Sequence, residues 1–189
     1  MKLLSDIDFI SLRGKRVILR VDFNVDLSRG YSLRFDSVIP TLEVLIKNGA
    51  SIFMLSHFGR PTKADPKFSL RFIIPFLEKR LNRKIDFITH FDFPKIKKDL
   101  ERAGGQSVCL LENLRYLSEE EKDDDKLGRN LASLGDLYIN DAFSVSHRAH
   151  ASLHAITRHI PSYAGLILEK EIENLSKFLK PIRPSVVIM

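Results

Sequence analysis

The chain has 189 residues, 44% hydrophobic and 29% charged, with 30 Lys+Arg against 24 Asp+Glu. Such a composition fits a folded globular chain of one domain, or one domain with a trailing element, and argues against disorder. No run of eighteen apolar residues offers a membrane span, residues 1–11 resemble neither a signal nor a transit peptide, and the net charge of +6 attracts anions without naming one.

In chain order, residues 16–21 (Arg-Val-Ile-Leu-Arg-Val) read as a first strand. Apolar positions at Val38, Leu42, Leu45 and Ile46 predict a helix over 38–48, stopped by Gly49. A strand follows at 51–55, a helix at 70–81 and a weak strand at 85–88. A basic helix over 95–102 ends at Gly104 and Gly105, and a strand at 107–111 carries the one cysteine, Cys109. A single cysteine in an apolar run reads as a buried thiol in a reducing compartment. The acidic run 119–125 reads as a solvated turn or helix start. A helix at 125–134 and a strand at 137–140 come next. Residues 164–180 form an amphipathic helix with Leu168, Ile172, Leu175 and Leu179 on one face and a Glu173–Lys177 pair at i, i+4. The last residues, 185–189, read as a buried strand.

Short, nearly continuous apolar strands alternating with helices imply a parallel sheet covered on both faces: a three-layer, Rossmann-like α/β fold closed by a C-terminal helix. Ligands of such sheets bind beyond the carboxyl ends of the strands. Those ends carry Asp22-Phe23-Asn24, then Ser56-His57-Phe58-Gly59-Arg60-Pro61, then Glu112-Asn113-Leu114-Arg115, then Asn140-Asp141-Ala142-Phe143 leading to His147-Arg148-Ala149-His150. Arg60, Arg115, Arg148, His57, Asp22 and Asn24 are thereby delivered to one sheet edge, and Arg34, in the loop before the second element, can reach them. Guanidinium forks bind phosphate or carboxylate oxygens bidentately and stay charged at any working pH. Asp22 and Asn24 suit a hydroxyl and a carboxylate. The pattern predicts a site for a small, multiply anionic hydroxy-acid. His147, His150 and His154 lack an accompanying cysteine or carboxylate set, so no metal is expected. Basic residues are not interleaved with aromatics as single-strand binders require, so no nucleic-acid partner is expected.

The same residues carry a family resemblance. Arg20-Val21-Asp22-Phe23-Asn24-Val25, Ser56 through Pro61, Leu110 through Arg115, and Asn140 through Phe143 running on to His147-Arg148-Ala149-His150-Ala151-Ser152 resemble, in order, the motifs of phosphoglycerate kinases. The resemblance implies an amino-terminal domain that holds 3-phosphoglycerate or 1,3-bisphosphoglycerate. His57, Arg60, Arg115 and Arg148 are implied around the 3-phosphate, with Asp22, Asn24 and Arg34 near the hydroxyl and reacting carboxylate. Phe58 and Gly59 shape the loop between them, Phe23 belongs to the first motif, and Arg34 is the candidate for stabilising the moving phosphoryl group. It further implies residues 1–163 as the acid-binding domain, 164–183 as an interdomain connector and 184–189 as the first strand of a nucleotide-binding domain. No cofactor is expected on this chain, magnesium-ADP or magnesium-ATP being the co-substrate of that other domain. Implied too are a cytoplasmic location, no membrane partner and a monomeric full-length enzyme, while an apolar strand at 186–188 without sheet partners would make a fragment prone to self-association. Two positions depart from the pattern: Asp26 replaces a proline, and Ser144-Val145-Ser146 replaces Gly-Thr-Ala, which would strain Ser144 if it needed a positive φ. The same site residues would equally serve a free-standing module that binds a phosphorylated hydroxy-acid.

Overall fold

Five apolar runs become strands: β1 (Arg16–Arg20), β2 (Ser51–Leu55), β3 (Asp86–Ile88), β4 (Val108–Leu111) and β5 (Leu137–Asn140). With a sixth, β6 (Ser162–Ala164), they form one sheet in the order β3-β4-β2-β1-β5-β6, every pairing parallel. The structure, a computed structural model, describes residues 2–26 and 32–179, the last two by backbone alone.

Side chains alternate across each strand, and both faces are buried. Val17, Leu19, Ile52, Met54, Val108 and Leu110 enter one cluster, while Ile18, Phe53, Leu55, Cys109 and Leu111 enter the other. Helices α1 (Leu33–Lys47) and α2 (Ile74–Leu81) cover the first face through Phe35, Val38, Leu42, Leu45 and Leu77. Helices α3 (Phe93–Ala103) and α5 (Asp125–Ala132) cover the second through Ile96, Leu100, Leu127 and Leu131. Between them lies the short α4 (Ser118–Glu121), and α6 (Leu166–Leu179) packs Leu166 and Ile167 on the first face. The expected three-layer α/β architecture is what forms. Two-sided burial also explains why the strand runs show no polar alternation. Cys109 is buried, and burial raises its thiol to about 11, so it is not a thiolate at neutral pH.

The structure differs from the sequence reading at four points. Helix α1 starts at Leu33, capped by the Ser32 hydroxyl, so Arg34 belongs to its first turn and not to a preceding loop. Phe35 anchors that turn against Phe23 and Phe76, and the helix continues through an exposed Pro40, a residue that ordinarily marks a first turn. Strand β6 is too short for periodicity to reveal; it adds Ala164 to the sheet beside Asn140, so the last helix starts at Leu166. The acidic run is not all solvated: Glu120 is fully buried. Among the described residues of the face expected on α6, Leu168 is buried, Ile172 half-buried and Leu175 50% exposed. The Glu173–Lys177 pair forms at 3.3 Å. The strand expected at 185–189, and the Leu179 side chain, lie outside the described residues.

Candidate functional site

The register sets the strand ends level. Arg20 at the end of β1 lies opposite Leu55 of β2 and Asn140 of β5. From β1 the chain passes through α1 to β2 on one side, whereas β5 lies on the other, so the sheet switches direction between β1 and β5. A crevice belongs at such a point.

Asp22 turns the chain there. Its Oδ1 accepts the Asn24 amide at 2.9 Å, a local turn typical of aspartate. Its Oδ2 accepts the Ser144 hydroxyl from beyond β5 and lies 3.3 Å from Arg34 Nη1. Arg34 Nη1 also donates to the Asn24 carbonyl at 3.1 Å. Asn24 Oδ1 in turn accepts the Gly59 amide at 3.0 Å, tying the first loop to the second. Gly59 has φ +62°, and a Cβ there would meet the Phe68 ring at 2.5 Å, so the position takes only glycine.

The loop after β2 is braced by the residues after β4. Asn113 accepts from the Phe58 and Arg115 amides (3.2 and 3.0 Å) and donates to the Phe58 and Phe68 carbonyls (2.7 and 2.8 Å). Glu112 accepts from the Ser69 hydroxyl and from the Leu70 and Asn113 amides. These two polar residues of the motif are therefore framework, and Arg115 is what they present. Its side chain is 4% exposed, and its Nη1 lies 2.6 Å from Glu121 Oε1.

The outcome is a cleft of about 330 Å³ lined by Asp22, Asn24, Arg34, His57, Gly59, Arg60, Arg115, Ser144, Val145 and Arg148. Eight of the ten sequence-predicted site residues meet there. Phe23 and Phe58 do not line it: Phe23 is fully buried with its ring against Phe35, and Phe58 packs on Phe72 with centroids 4.7 Å apart. Four arginines face one lining carboxylate, Asp22, an arrangement that can desolvate a multiply charged anion.

Ser144 lies in a 3-10 turn and is not among the described non-glycine residues with positive φ, so the feared strain is absent; its hydroxyl instead joins β5 to β1 through Asp22. Asp26 is exposed just past the cleft-forming turn. Behind the cleft runs a buried polar chain that sequence reading assigned to strand, acidic turn and loop. Glu120 accepts from the Ser152 amide at 2.9 Å and hydroxyl at 2.6 Å. Ser152 Oγ accepts from Arg20 Nε at 3.0 Å, and Arg20 Nη2 lies 3.1 Å from His57 Nδ1. Burial, then the charges of Arg20, Arg115 and Arg148, lower the His57 pKa to about 2. One signal was visible: a cation at position 20, inside an apolar run destined for burial on both faces, demands a buried partner.

The family model for phosphoglycerate kinase matches residues 5–189. The chain is 43% identical over 187 residues to a phosphoglycerate kinase of Wolinella succinogenes, covering 95% of this chain and 46% of that protein. It is 44% identical over 191 residues to one of Bartonella tribocorum, covering 98% and 47% respectively. Among solved structures, the phosphoglycerate kinase of Coxiella burnetii superimposes with a TM-score of 0.80 at 29% identity, over 96% of this chain and 45% of that one. That of Pyrococcus horikoshii gives 0.80 at 30% identity, over 94% and 45%. The chain thus spans about half the length of the curated relatives it matches.

Proposed function

The chain belongs to the phosphoglycerate kinase family, and from that premise we propose that it binds 3-phosphoglycerate or 1,3-bisphosphoglycerate in the arginine-lined cleft. The supporting observation is convergence: Arg60, Arg115, Arg148 and His57, from three separate strand ends, line one 330 Å³ space with Asp22, Asn24 and Arg34. In this reading the first four hold the 3-phosphate. Asp22 and Asn24 orient the hydroxyl and carboxylate.

The reaction is phosphoryl transfer between 1,3-bisphosphoglycerate with ADP and 3-phosphoglycerate with ATP. The acceptor carboxylate is already a nucleophile, so no general base is required; positioning and charge neutralisation carry the catalysis. Arg34, half exposed at the cleft edge and tethered to Asp22 and Asn24, is suited to meet the moving phosphoryl group. The magnesium-nucleotide is assigned to the part of the relatives that this chain does not span, with residues 1–163 as the acid-binding unit and 164–183 as the connector. On its own, the chain then binds the acid without turnover. A cytoplasmic location is part of the same proposal; no helix among the described residues is long and apolar enough to cross a membrane.

Arg148→Ala tests the phosphate assignment. Losing one charge-assisted contact, worth about 1.5–3 kcal/mol, should weaken 3-phosphoglycerate binding roughly 10- to 100-fold. Glycerate, which lacks the phosphate, should bind both proteins equally poorly. Equal affinity of parent and variant for 3-phosphoglycerate would move the phosphate elsewhere.

A further inference from the structure

We propose that Glu120 and Ser152 are positioning residues: acting through Arg20, they hold His57 as the neutral tautomer with its proton on Nε2, a fixed donor to the bound phosphate. The inference rests on the proposed phosphate site and adds residues that do not line it.

The chain of donors and acceptors leaves little freedom. Glu120 and Ser152 are fully buried, Arg20 is 1% exposed and His57 4%. The Ser152 hydroxyl donates its proton to Glu120 Oε1 at 2.6 Å, so towards Arg20 Nε, 3.0 Å away, it can only accept. The guanidinium has no acceptor. Arg20 Nη1 donates to the Val21 carbonyl, and Nη2 meets His57 Nδ1 at 3.1 Å. Nδ1 must therefore offer a lone pair, and a neutral ring with an unprotonated Nδ1 carries its hydrogen on Nε2. His57 lines the cleft, so that hydrogen serves the cleft side of the ring.

The charges around the ring act in the same sense. Arg20 faces it from β1, Arg115 from the turn after β4, and Arg148 and His150 from the segment after β5, all disfavouring a second proton. The carboxylate in the network, Glu120 on α4, stands behind Ser152, with its Oε1 3.9 Å from His150 Nδ1. Glu120 thus offsets the buried Arg20 charge without contacting His57. An isolated buried guanidinium would be costly, and one shared hydroxyl links it to its counter-charge. The functional consequence is that phosphate recognition does not depend on histidine protonation. Binding should follow only the ligand's own second phosphate ionisation, near pH 6.

The test reads the ring directly. In uniformly ¹⁵N-labelled chain without ligand, long-range ¹H–¹⁵N spectra should show His57 Nδ1 unprotonated and Nε2 protonated, unchanged from pH 8 to pH 5. Ser152→Ala removes one oxygen from the relay and leaves the amide of residue 152 to Glu120. It should retain cooperative unfolding, move the His57 nitrogens towards tautomer-averaged shifts, and raise the dissociation constant for 3-phosphoglycerate about tenfold. Glu120→Gln, which keeps the shape and removes the charge, should shift the same nitrogens and serves if Ser152→Ala does not fold. A parent ring protonated on Nδ1, or titrating between pH 5 and 8, overturns the inference. So do unchanged ring shifts and affinity in the two variants. The tautomer is read without ligand, so the two ideas separate. A parent with the expected ring that binds no phosphate ester contradicts the proposed function and leaves the positioning of His57 by Glu120, Ser152 and Arg20 supported.

Discussion

His57 makes the stability of the molecule depend on pH. Buried and surrounded by cations, it holds a pKa of about 2, against an unfolded value near 6.5. Below pH 6.5 the unfolded chain takes up a proton that the folded chain refuses. Stability therefore falls as pH falls from 6.5, by up to about 1.4 kcal/mol per pH unit for one such group. His150, also lowered mainly by burial, acts in the same direction, whereas Asp141, raised by burial, acts in the opposite one. Comparison with His57→Asn isolates the one residue, since asparagine can still accept from Arg20. Urea unfolding at pH 6 and pH 5 should show the parent losing about 1 kcal/mol more than the variant. Parallel losses would mean that His57 is protonated in the folded chain. At this scale the sequence was informative about charge and silent about contact. Arg60, Arg115 and Arg148 were legible because each follows the end of an apolar strand, where the crevice of a parallel sheet lies. Glu120 was not, because an acidic run gives no sign of which carboxylate turns inward.

The elements hold the cleft by short tethers between segments distant in sequence. Asp141, just past β5, accepts the Ile167 amide at 2.8 Å and the Leu168 amide at 3.3 Å through Oδ1, capping α6 from outside the helix. Such a contact requires that nothing stand between Asp141 and the chain at Gly165. A Cβ on Gly165 would lie 2.4 Å from Asp141 Oδ1 and 2.5 Å from its Cγ. Gly165→Ala should therefore push the start of α6 off the sheet and cost about 1–3 kcal/mol in thermal or urea unfolding. An unchanged midpoint would show that the helix start yields freely and that Asp141 is not its anchor. Element type was well marked by periodicity and by helix stops such as Gly49 and Gly104. Boundaries were not, where tertiary contacts decided them. Phe35 draws α1 back to Leu33 by packing on Phe23 and Phe76, and β6 exists because three residues find an open edge beside β5.

Taken whole, the molecule is a parallel sheet whose switch point carries its charge chemistry. The excess of +6 is not spread evenly in function: four arginines line the cleft, and one carboxylate, Asp22, joins them there. The fold class followed from apolar strands alternating with helices, and seven cleft residues followed from their place after those strands; the eighth, Arg34, was expected in a loop and stands in the first turn of α1. What remained hidden was the second layer, the Arg20–Ser152–Glu120 chain, because its members come from a strand, a loop and a helix that only the folded sheet brings together. On the proposed function, this chain holds the phosphorylated acid by itself and does not hold the nucleotide. Calorimetric titration of the purified chain with 3-phosphoglycerate, and separately with magnesium-ATP, at low and high salt decides between these ligands. The acid should bind saturably and one-to-one, more weakly at high salt, and the nucleotide should give no heat of binding. Absence of acid binding at low salt, or nucleotide binding in place of it, would show that the cleft is not the site of the phosphorylated acid.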